Sequence, residues 1–429
     1  MKMSSKWNEH VHERTGMRYY TMTHSSGLPV LVCPREGYRS AYAVFAARYG
    51  SIDTGFYAGD KFVDVPAGIA HYLEHKLFES EDGDAFARFA QTGASANAYT
   101  GFDKTAYLFS CAGDISGSLD ILLDFVTSPY FTQKGVDKER GIIGQEICMG
   151  LDSPGRRVLM NLLDAMYVRH PVRLDIAGSV ESIAKITPEL LDGCYQSFYN
   201  LKNMVLVAAG NITADTVAHA SDRFLTAPDT PPARRAAVDE PRAVCTVRVE
   251  RHMPVAAPLF YLGYKEYIVT PEHRSPVQIM AARVLVRLIA GTASALYARL
   301  MERGLINPGT FDADYFDGPG YACFMFGGES GNPDAVCAAI REEIERLRRE
   351  GIPHADFLAA KSAVYGRQLA DINSPDGCGE MFLGDMLAGR QPFALIDAAA
   401  ELTIDDVTTL LDGGLQEEQS SLSLILPPE

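Results

Sequence analysis

Several common sequence signatures are absent from this chain of 429 residues. Its eight cysteines include no C-x-x-C pair and are scattered through apolar stretches, which is typical of buried free thiols in a reducing compartment. The N-terminus has no apolar signal-like region, and no apolar run approaches the length that spans a bilayer. We therefore expect a cytoplasmic protein that has no membrane partner.

Basic charge is also scarce, because 39 Lys and Arg residues stand against 55 Asp and Glu residues, for a formal net charge of −16. Binding to nucleic acid depends on basic side chains that neutralise backbone phosphates, so we expect no nucleic-acid partner. The sequence contains no glycine-rich nucleotide-binding pattern after a strand and no nucleophile elbow. These absences give little support to nucleotide-dependent or serine-hydrolase chemistry.

The chain divides into two halves with the same order of elements. Segment 226–243, "TAPDTPPARRAAVDEPRA", lacks apolar periodicity and is interpreted as a linker between an N-terminal α+β domain at 1–225 and a C-terminal α+β domain at 244–429. Each half ends in a helix and a strand: "TPELLDGCYQSFY" and "NMVLVAAG", then "TIDDVTTLLDG" and "SLSLILP". This order predicts two related α+β domains from an internal duplication, each an antiparallel-rich sheet packed with helices.

The stretch "GIAHYLEHKLFE", residues 68–79, carries two histidines four residues apart and a glutamate directly before the second. On a helix, His71 and His75 project from one face with a spacing at which two imidazoles reach one zinc ion. Glu74 lies close enough to hold a water molecule on that ion. A separate apolar stripe supports the helix: Ile69, Leu73 and Leu77. The alternative is an amphipathic helix with these polar residues by chance, so a third ligand is needed.

The stretch "VDKERGIIGQEICMGLD" offers that ligand. Read as a helix, it places Glu139 and Glu146 on a stripe that is otherwise apolar, with Ile142, Ile143, Met149 and Gly150. A buried carboxylate is costly unless it has a partner or binds a metal. Glu146 would complete a His₂Glu set with a fourth position left for water, the composition of a catalytic site with one zinc per chain. Alternatively, the stripe is displaced by one residue and Glu146 is solvated.

Together these residues resemble the pitrilysin-type inverzincin zinc metallopeptidases, which include mitochondrial processing peptidase and insulin-degrading enzyme, and most closely the bacterial YmfH-like branch. The resemblance continues through "GASANAYTGFDKTAYLFS" and "MYVRHPVRLDIAGSVESIAKIT". It implies that His71, His75 and Glu146 bind zinc and that Glu74 is the general base of peptide hydrolysis. It also implies that Glu139 supports the site.

The resemblance further implies a substrate-binding strand and a partner chain. Asn97, Ala98 and Tyr99 match the edge strand on which family members align peptides, although an ordinary paired strand explains the alternation equally well. Relatives with two such domains form half of a clamshell chamber and pair with a second chain. This implies a homodimer, or a heterodimer with a related chain, that hydrolyses peptides or unfolded segments.

One departure from the family pattern lies in the second half. Active relatives supply an Arg and a Tyr seven residues apart, but in "ARLMERGLINPGTF" the matching positions are Leu300 and Asn307. Nearby candidate substitutes are Arg299, Arg303, Tyr315 and Tyr321. Loss of such a donor costs about 10²–10³ in rate. The intact H-x-x-E-H motif thus favours a zinc metalloendopeptidase, and the missing pair favours a weakly active or inactive peptide-binding or assembly subunit that retains the metal site.

Overall fold

The computed structural model describes residues 7–81, 83–268, 270 and 272–428. Within these ranges the chain combines helices with antiparallel-rich sheets, which confirms the α+β fold class. Contacts group it into two compact units, one of residues 1–147, 175–236 and 369–394, and one of 148–174, 237–368 and 395–429. These units differ from the contiguous halves of the sequence, because each takes in a segment from the other half.

The first unit is built on a seven-stranded sheet in the order β1-β2-β3-β11-β4-β10-β9, in which only the β3–β11 pair is parallel among the described strands. Its strands are β1 Asn8–Val11, β2 Arg18–Thr23, β3 Pro29–Pro34, β4 Ala41–Ala47, β9 Ala94–Thr100, β10 Thr105–Cys111 and β11 Met204–Gly210. Smaller ladders are formed by β5 Gly55–Ala58, β6 Lys61–Asp64 and β12 Arg234–Arg235, and by β7 Glu79–Ser80 with β8 Gly83–Asp84. Strand β12 lies inside the segment interpreted as a linker.

Helices cover both faces of this sheet. They are α1 Ile69–Leu77, α2 Ala85–Thr92, α3 Ile115–Thr127, α4 Gln133–Leu151, α6 Val180–Ile183, α7 Pro188–Phe198, α8 Ala214–Phe224 and α13 Pro375–Leu387. Strand β4 is buried at every residue, as expected for an apolar strand with both faces covered. Its odd-numbered residues join the main core with α1 and α3, whereas Tyr42 on the opposite face meets α13.

The second unit repeats the central topology of the first. Its five-stranded sheet has the order β13-β17-β14-β16-β15, with a parallel β13–β17 pair and antiparallel neighbours elsewhere. These strands are β13 Arg248–His252, β14 Leu259–Lys265, β15 Asp312–Gly318, β16 Tyr321–Glu329 and β17 Ser420–Leu426. The order matches β3-β11-β4-β10-β9 strand for strand in sequence order. This agreement supports the predicted internal duplication.

The helices of the second unit include one long apolar stretch among the described residues. They are α5 Pro154–Met166, α9 Pro276–Ala290, α10 Ala295–Glu302, α11 Pro333–Glu350, α12 His354–Asp371, α14 Ala394–Glu401 and α15 Ile404–Gly413. The stretch Pro276–Glu302 is long and apolar enough to cross a membrane, contrary to the expectation from the sequence, but 67% of its most apolar window is buried. Buried core helices commonly meet the same criterion, so it is weak evidence for a membrane segment.

The cysteines follow the sequence expectation only in part. All eight are free thiols, and six of them are buried. Cys148 and Cys245 are exposed, so the expectation that every thiol is buried was wrong at these two positions. Cys148 is exposed because it lies on the solvent side of α4, next to the exposed Met149.

Candidate metal centre

Helix α1 carries the H-x-x-E-H motif, and its start is fixed by backbone conformation. Gly68 precedes the helix with φ +91°, in the left-handed region, and an added Cβ would lie 2.4 Å from the carbonyl oxygen of Ala177. Along the helix, Ile69, Leu73 and Leu77 are all buried, as predicted. The apolar stripe thus anchors α1 in the core and leaves the two histidines on another face.

His71 and His75 meet Glu146 from α4 at one point. The Nε2 atom of His71 lies 3.5 Å from Oε1 of Glu146, and the Nε2 atom of His75 lies 3.6 Å from Oε2. Ligand atoms held tetrahedrally at about 2.0–2.2 Å from one zinc ion lie about 3.3–3.6 Å apart. The two distances end on different oxygens of Glu146, and one ligand atom from each of the three residues lies within 4.8 Å of the others. The donor set therefore fits a zinc ion in chemistry, and its atoms lie close together. Among the described residues they form a group that could hold a metal ion.

The apolar stripe of α4 runs differently from the sequence interpretation. Its most buried residues are Val136, Ile143 and Ile147, whereas Ile142 is 47% exposed and Met149 is 72% exposed. The inclusion of these last two in the buried stripe was wrong, because the stripe is rotated around the helix axis. Side-chain exposure is 15% for Glu139 and 40% for Glu146, so both glutamates lie beside the buried stripe.

Glu139 orients one of the histidines. Its Oε1 atom lies 2.9 Å from Nδ1 of His75. This bond lowers the pKa of Glu139, which therefore stays ionised and can only accept a hydrogen bond. The proton consequently lies on Nδ1 of His75 and leaves Nε2 to face Glu146. Burial lowers the pKa of His75, but the bond to Glu139 and the neighbouring carboxylates outweigh it and the net shift is upward.

Glu74 is buried beside this group and is held by the edge strand of the sheet. Thr100, at the end of β9, donates from Oγ1 to Oε2 of Glu74 at 2.6 Å. Burial raises the pKa of Glu74, and the hydrogen bond from Thr100 partly offsets this effect. A buried carboxylate with a raised pKa is suited to accept and return a proton. This hydrogen bond thus joins helix α1 to the edge strand β9 at the candidate base.

The sequence-predicted substrate residues lie on strand β9. Among the described strands, β9 is at the edge of the sheet and pairs only with β10, so its outer backbone groups face away from the ladder. A cavity of about 520 Å³ next to it is lined by Asn97 and Ala98 as well as by Glu74 and His75. Tyr99 instead donates from Oη to Oε2 of Glu380 at 2.7 Å. The structure brings Asn97 and Ala98 to the cavity and turns Tyr99 away from it.

In the second unit, the residues at the positions of the family Arg and Tyr have roles inside the fold. Leu300, at the position of the family Arg, is a buried core residue. Asn307, at the position of the family Tyr, donates from Nδ2 to Oε2 of Glu329 at 2.6 Å. Tyr321 is buried as well. These residues serve packing and local hydrogen bonding.

Two of the nearby candidate substitutes also make hydrogen bonds within the fold. Arg299 donates to Oε2 of the buried Glu343 at 3.0 Å. Tyr315 is buried and donates to Glu266. Arg303 is exposed. Arg299 is exposed as well, so Arg299 and Arg303 are the two of these three side chains that solvent reaches, whereas Tyr315 is buried.

Two functional contacts could not be found from the sequence. Thr100 follows the predicted substrate residues on β9, and no sequence pattern indicates its bond to Glu74 on another element. Glu380 was not singled out at all, although it holds Tyr99 across 281 residues of sequence. No local signal marks such a long-range bond.

Two imidazoles and a carboxylate near a buried glutamate are the side chains that sites of the mononuclear zinc hydrolase class use. Comparison with known proteins is consistent with this class. Residues 63–180 match the family model "Insulinase (Peptidase family M16)", and residues 185–364 match "Peptidase M16 inactive domain". The uncharacterized zinc protease YmfH of Bacillus subtilis is 36% identical over 416 residues, 94% of this chain and 95% of that protein. The chain belongs to peptidase family M16, which confirms the resemblance seen in the sequence.

Solved structures agree with the family assignment. An M16-like peptidase from Alicyclobacillus acidocaldarius is 36% identical, with a TM-score of 0.91 and full coverage of both chains. Pitrilysin, at 16% identity, shares the fold with a TM-score of 0.77, and the match covers 99% of this chain but 47% of the pitrilysin chain. The chain therefore has the fold of about half of pitrilysin.

Proposed function

We propose that this protein is a zinc-dependent metalloendopeptidase that hydrolyses peptides or unfolded segments. The observation that carries the proposal is the convergence of His71, His75 and Glu146, whose ligand atoms lie within 4.8 Å of one another, with the buried Glu74 on the same helix as the two histidines. A His₂Glu set leaves one coordination position open, as catalytic zinc sites do and closed structural sites do not. The zinc-protease names of its relatives support the same reading.

The residues of the chain have distinct roles in this proposal. His71, His75 and Glu146 would hold one zinc ion, which when bound supplies a Lewis acid for the peptide carbonyl and for water. Glu74 accepts a proton from water and returns it to the leaving amine. Thr100 holds the Glu74 carboxylate in place through its 2.6 Å hydrogen bond.

Substrate would bind by adding a strand to the sheet. The outer edge of β9 offers backbone groups to an extended peptide, and main-chain hydrogen bonds of this kind position a chain with little dependence on its sequence. Asn97 and Ala98 line the same cavity as Glu74 and His75, and a substrate side chain would lie in this cavity. Such binding favours unfolded segments, because a folded protein does not present a free strand.

We also propose that the active form contains two chains, either two copies of this chain or one copy with a related chain. The support is the half-length match to pitrilysin, whose single chain is about twice as long as the matched region. The free thiols support a cytoplasmic location.

A second candidate function is a peptide-binding or assembly subunit that retains the metal site but turns over slowly. Two observations favour it. Residues 185–364 match a model described as the M16 inactive domain. In the same region, Leu300 and Asn307 are engaged in packing and local bonding, so the family's substrate-binding pair is not replaced at those positions.

Zinc content and cleavage of a mixed peptide library, measured on the same samples, test the proposal. The variants are the wild type, Glu74→Gln and, as a matched control, Glu36→Gln, which changes an exposed glutamate in the turn after β3. We expect one zinc per chain in all three, with cleavage by the wild type and Glu36→Gln that a chelator abolishes. Glu74→Gln should retain zinc and lose cleavage by at least about 10²-fold.

The other outcomes are informative. Zinc in every sample with no cleavage by any would favour the binding-subunit function. Cleavage that survives in Glu74→Gln would reject Glu74 as the base. Wild-type protein without zinc would reject the metal assignment.

A further inference from the structure

Helix α13 comes late in the sequence but is docked on the first sheet, on the face opposite α1. It packs against β4 and β11. At Gly379 the helix touches the Tyr42 ring so closely that an added Cβ would lie 2.4 Å from Cδ1. At its C-terminal end, Arg48 donates to the carbonyl oxygens of Leu387 at 2.9 Å and Met386 at 2.7 Å. The helix is therefore held on the sheet at its middle and at its end.

Glu380 follows Gly379 and joins two strands through one carboxylate. Its Oε2 atom accepts a hydrogen bond from Oη of Tyr99 at 2.7 Å, and its Oε1 atom accepts one from Oη of Tyr42. Tyr42 belongs to the central strand β4 and Tyr99 to the edge strand β9, with β10 between them. Hydrogen bonds to an ionised carboxylate are stronger than neutral ones. Glu380 thus links the rigid centre of the sheet to its edge.

Strand β9 depends on such a link because it has one neighbouring strand, β10, among the described residues. Its two faces meet different partners. Ala96 and Ala98 pack toward the main core, and Thr100 contacts Glu74 on that side. Tyr99 projects to the opposite face, where burial and the carboxylate of Glu380 raise its pKa well above the ordinary value. The Tyr99 hydroxyl therefore remains a hydrogen-bond donor at neutral pH.

We propose that Glu380 is a positioning residue that fixes edge strand β9 against helix α1, which carries the H-x-x-E-H motif. A peptide then adds to a strand that is already ordered. The inference rests on the proposed function for its choice of ligand. Its first half, that Glu380 orders β9, holds for the chain whether or not it cleaves peptides. A strand with few neighbours opens locally at low free-energy cost, and a disordered edge binds peptide more weakly because binding must then order it.

Hydrogen–deuterium exchange tests the ordering of β9 directly. We expect Glu380→Ala to speed exchange of the amides at 94–100 about tenfold or more, because two charge-assisted hydrogen bonds are lost. Glu380→Gln, which retains an acceptor oxygen, should fall between Ala and wild type. The matched control is Tyr38→Phe, since Tyr38 lies in the segment between β3 and β4 and bonds to the Asn373 carbonyl just before α13. Exchange at 94–100 in that control should equal the wild type.

Peptide affinity tests the second half. In a Glu74→Gln background, which is chosen to prevent hydrolysis, a labelled unstructured peptide should bind about tenfold more weakly when Glu380→Ala is added. Combining Glu380→Ala with Tyr99→Phe should weaken binding no further than the stronger single change, because both remove the same bond. Zinc content should not change in any of these variants.

Three results would overturn the inference. Exchange at 94–100 that is unchanged in Glu380→Ala rejects the ordering role. An equal rise in Tyr38→Phe shows that loosening of α13 in general, and not Glu380, controls the strand. Faster exchange with unchanged peptide affinity would show that the order of β9 does not affect peptide binding. Absence of cleavage in the wild type rejects the proposed function alone, since both measurements stand without turnover.

Discussion

At the scale of single residues, Glu139 accepts a hydrogen bond from Nδ1 of His75 and so leaves the Nε2 atom free of a proton on the side of Glu146. We predict that Glu139→Gln weakens zinc binding about 10–100-fold, because a neutral amide accepts the Nδ1 proton more weakly than a carboxylate does and its NH₂ group can donate to Nδ1 in the other tautomer. Competition with a zinc chelator of known affinity measures this change. Gln145→Ala, on the exposed side of the same helix, is the control and should bind zinc as the wild type does. Equal affinity in Glu139→Gln and the control would reject the role.

Asp385 gives a prediction about pH. Burial raises its pKa to about 6, although Arg390 at 3.2 Å partly offsets the effect. Since the folded pKa exceeds the unfolded value near 4, the folded state binds more protons between these values, and stability falls as pH rises through this window. We predict that Asp385→Asn loses this dependence, so that the variant gains up to about 3 kcal/mol on the wild type between pH 4 and pH 7. Urea unfolding at both pH values measures the difference, and parallel pH profiles would contradict it.

At the scale of elements, the start of helix α1 depends on one backbone conformation. We predict that Gly68→Ala destabilises the protein by about 2 kcal/mol or more and lowers zinc content, because the residue needs φ +91° and its Cβ would clash with the Ala177 carbonyl. The control is Gly141→Ala in α4, where no described atom lies within 4 Å of an added Cβ. That change should stabilise by about 0.5–1 kcal/mol. Urea unfolding compares the two, and equal effects would contradict the prediction.

Elements with a clear local period were predictable. The apolar strands "NMVLVAAG" and "SLSLILP" appear as β11 and β17, and the helical stretches "TPELLDGCYQSFY" and "TIDDVTTLLDG" appear as α7 and α15. The two histidines and Glu74 were equally readable, since they share one short helix. The apolar stripe of α4 was harder to predict, because a helix with several glycines and few apolar residues has only a weak hydrophobic periodicity. Ile142 and Met149 were therefore misplaced.

At the scale of the whole molecule, the contacts that group elements could not be read from local patterns. The sequence predicted two contiguous halves, but contacts assign residues 369–394 to the unit of the first sheet and residues 148–174 to that of the second. Such grouping depends on bonds between distant positions, such as Tyr99 with Glu380. Periodicity reports which face of a helix is buried, but it does not report which sheet buries it.

The length of the chain gives the last prediction, which concerns assembly. The match to pitrilysin covers 99% of this chain and 47% of that chain, and in the proposed two-chain assembly the second chain would supply the other half. We predict that the purified protein sediments as a dimer, with about twice the 46.8 kDa chain mass, and that cleavage per chain falls on dilution as the dimer dissociates. Sedimentation velocity and activity over the same concentration range measure both quantities. A monomer that cleaves equally well at every concentration would reject the need for a second chain. A monomer that is inactive until a related chain is added would show instead that the pair is a heterodimer.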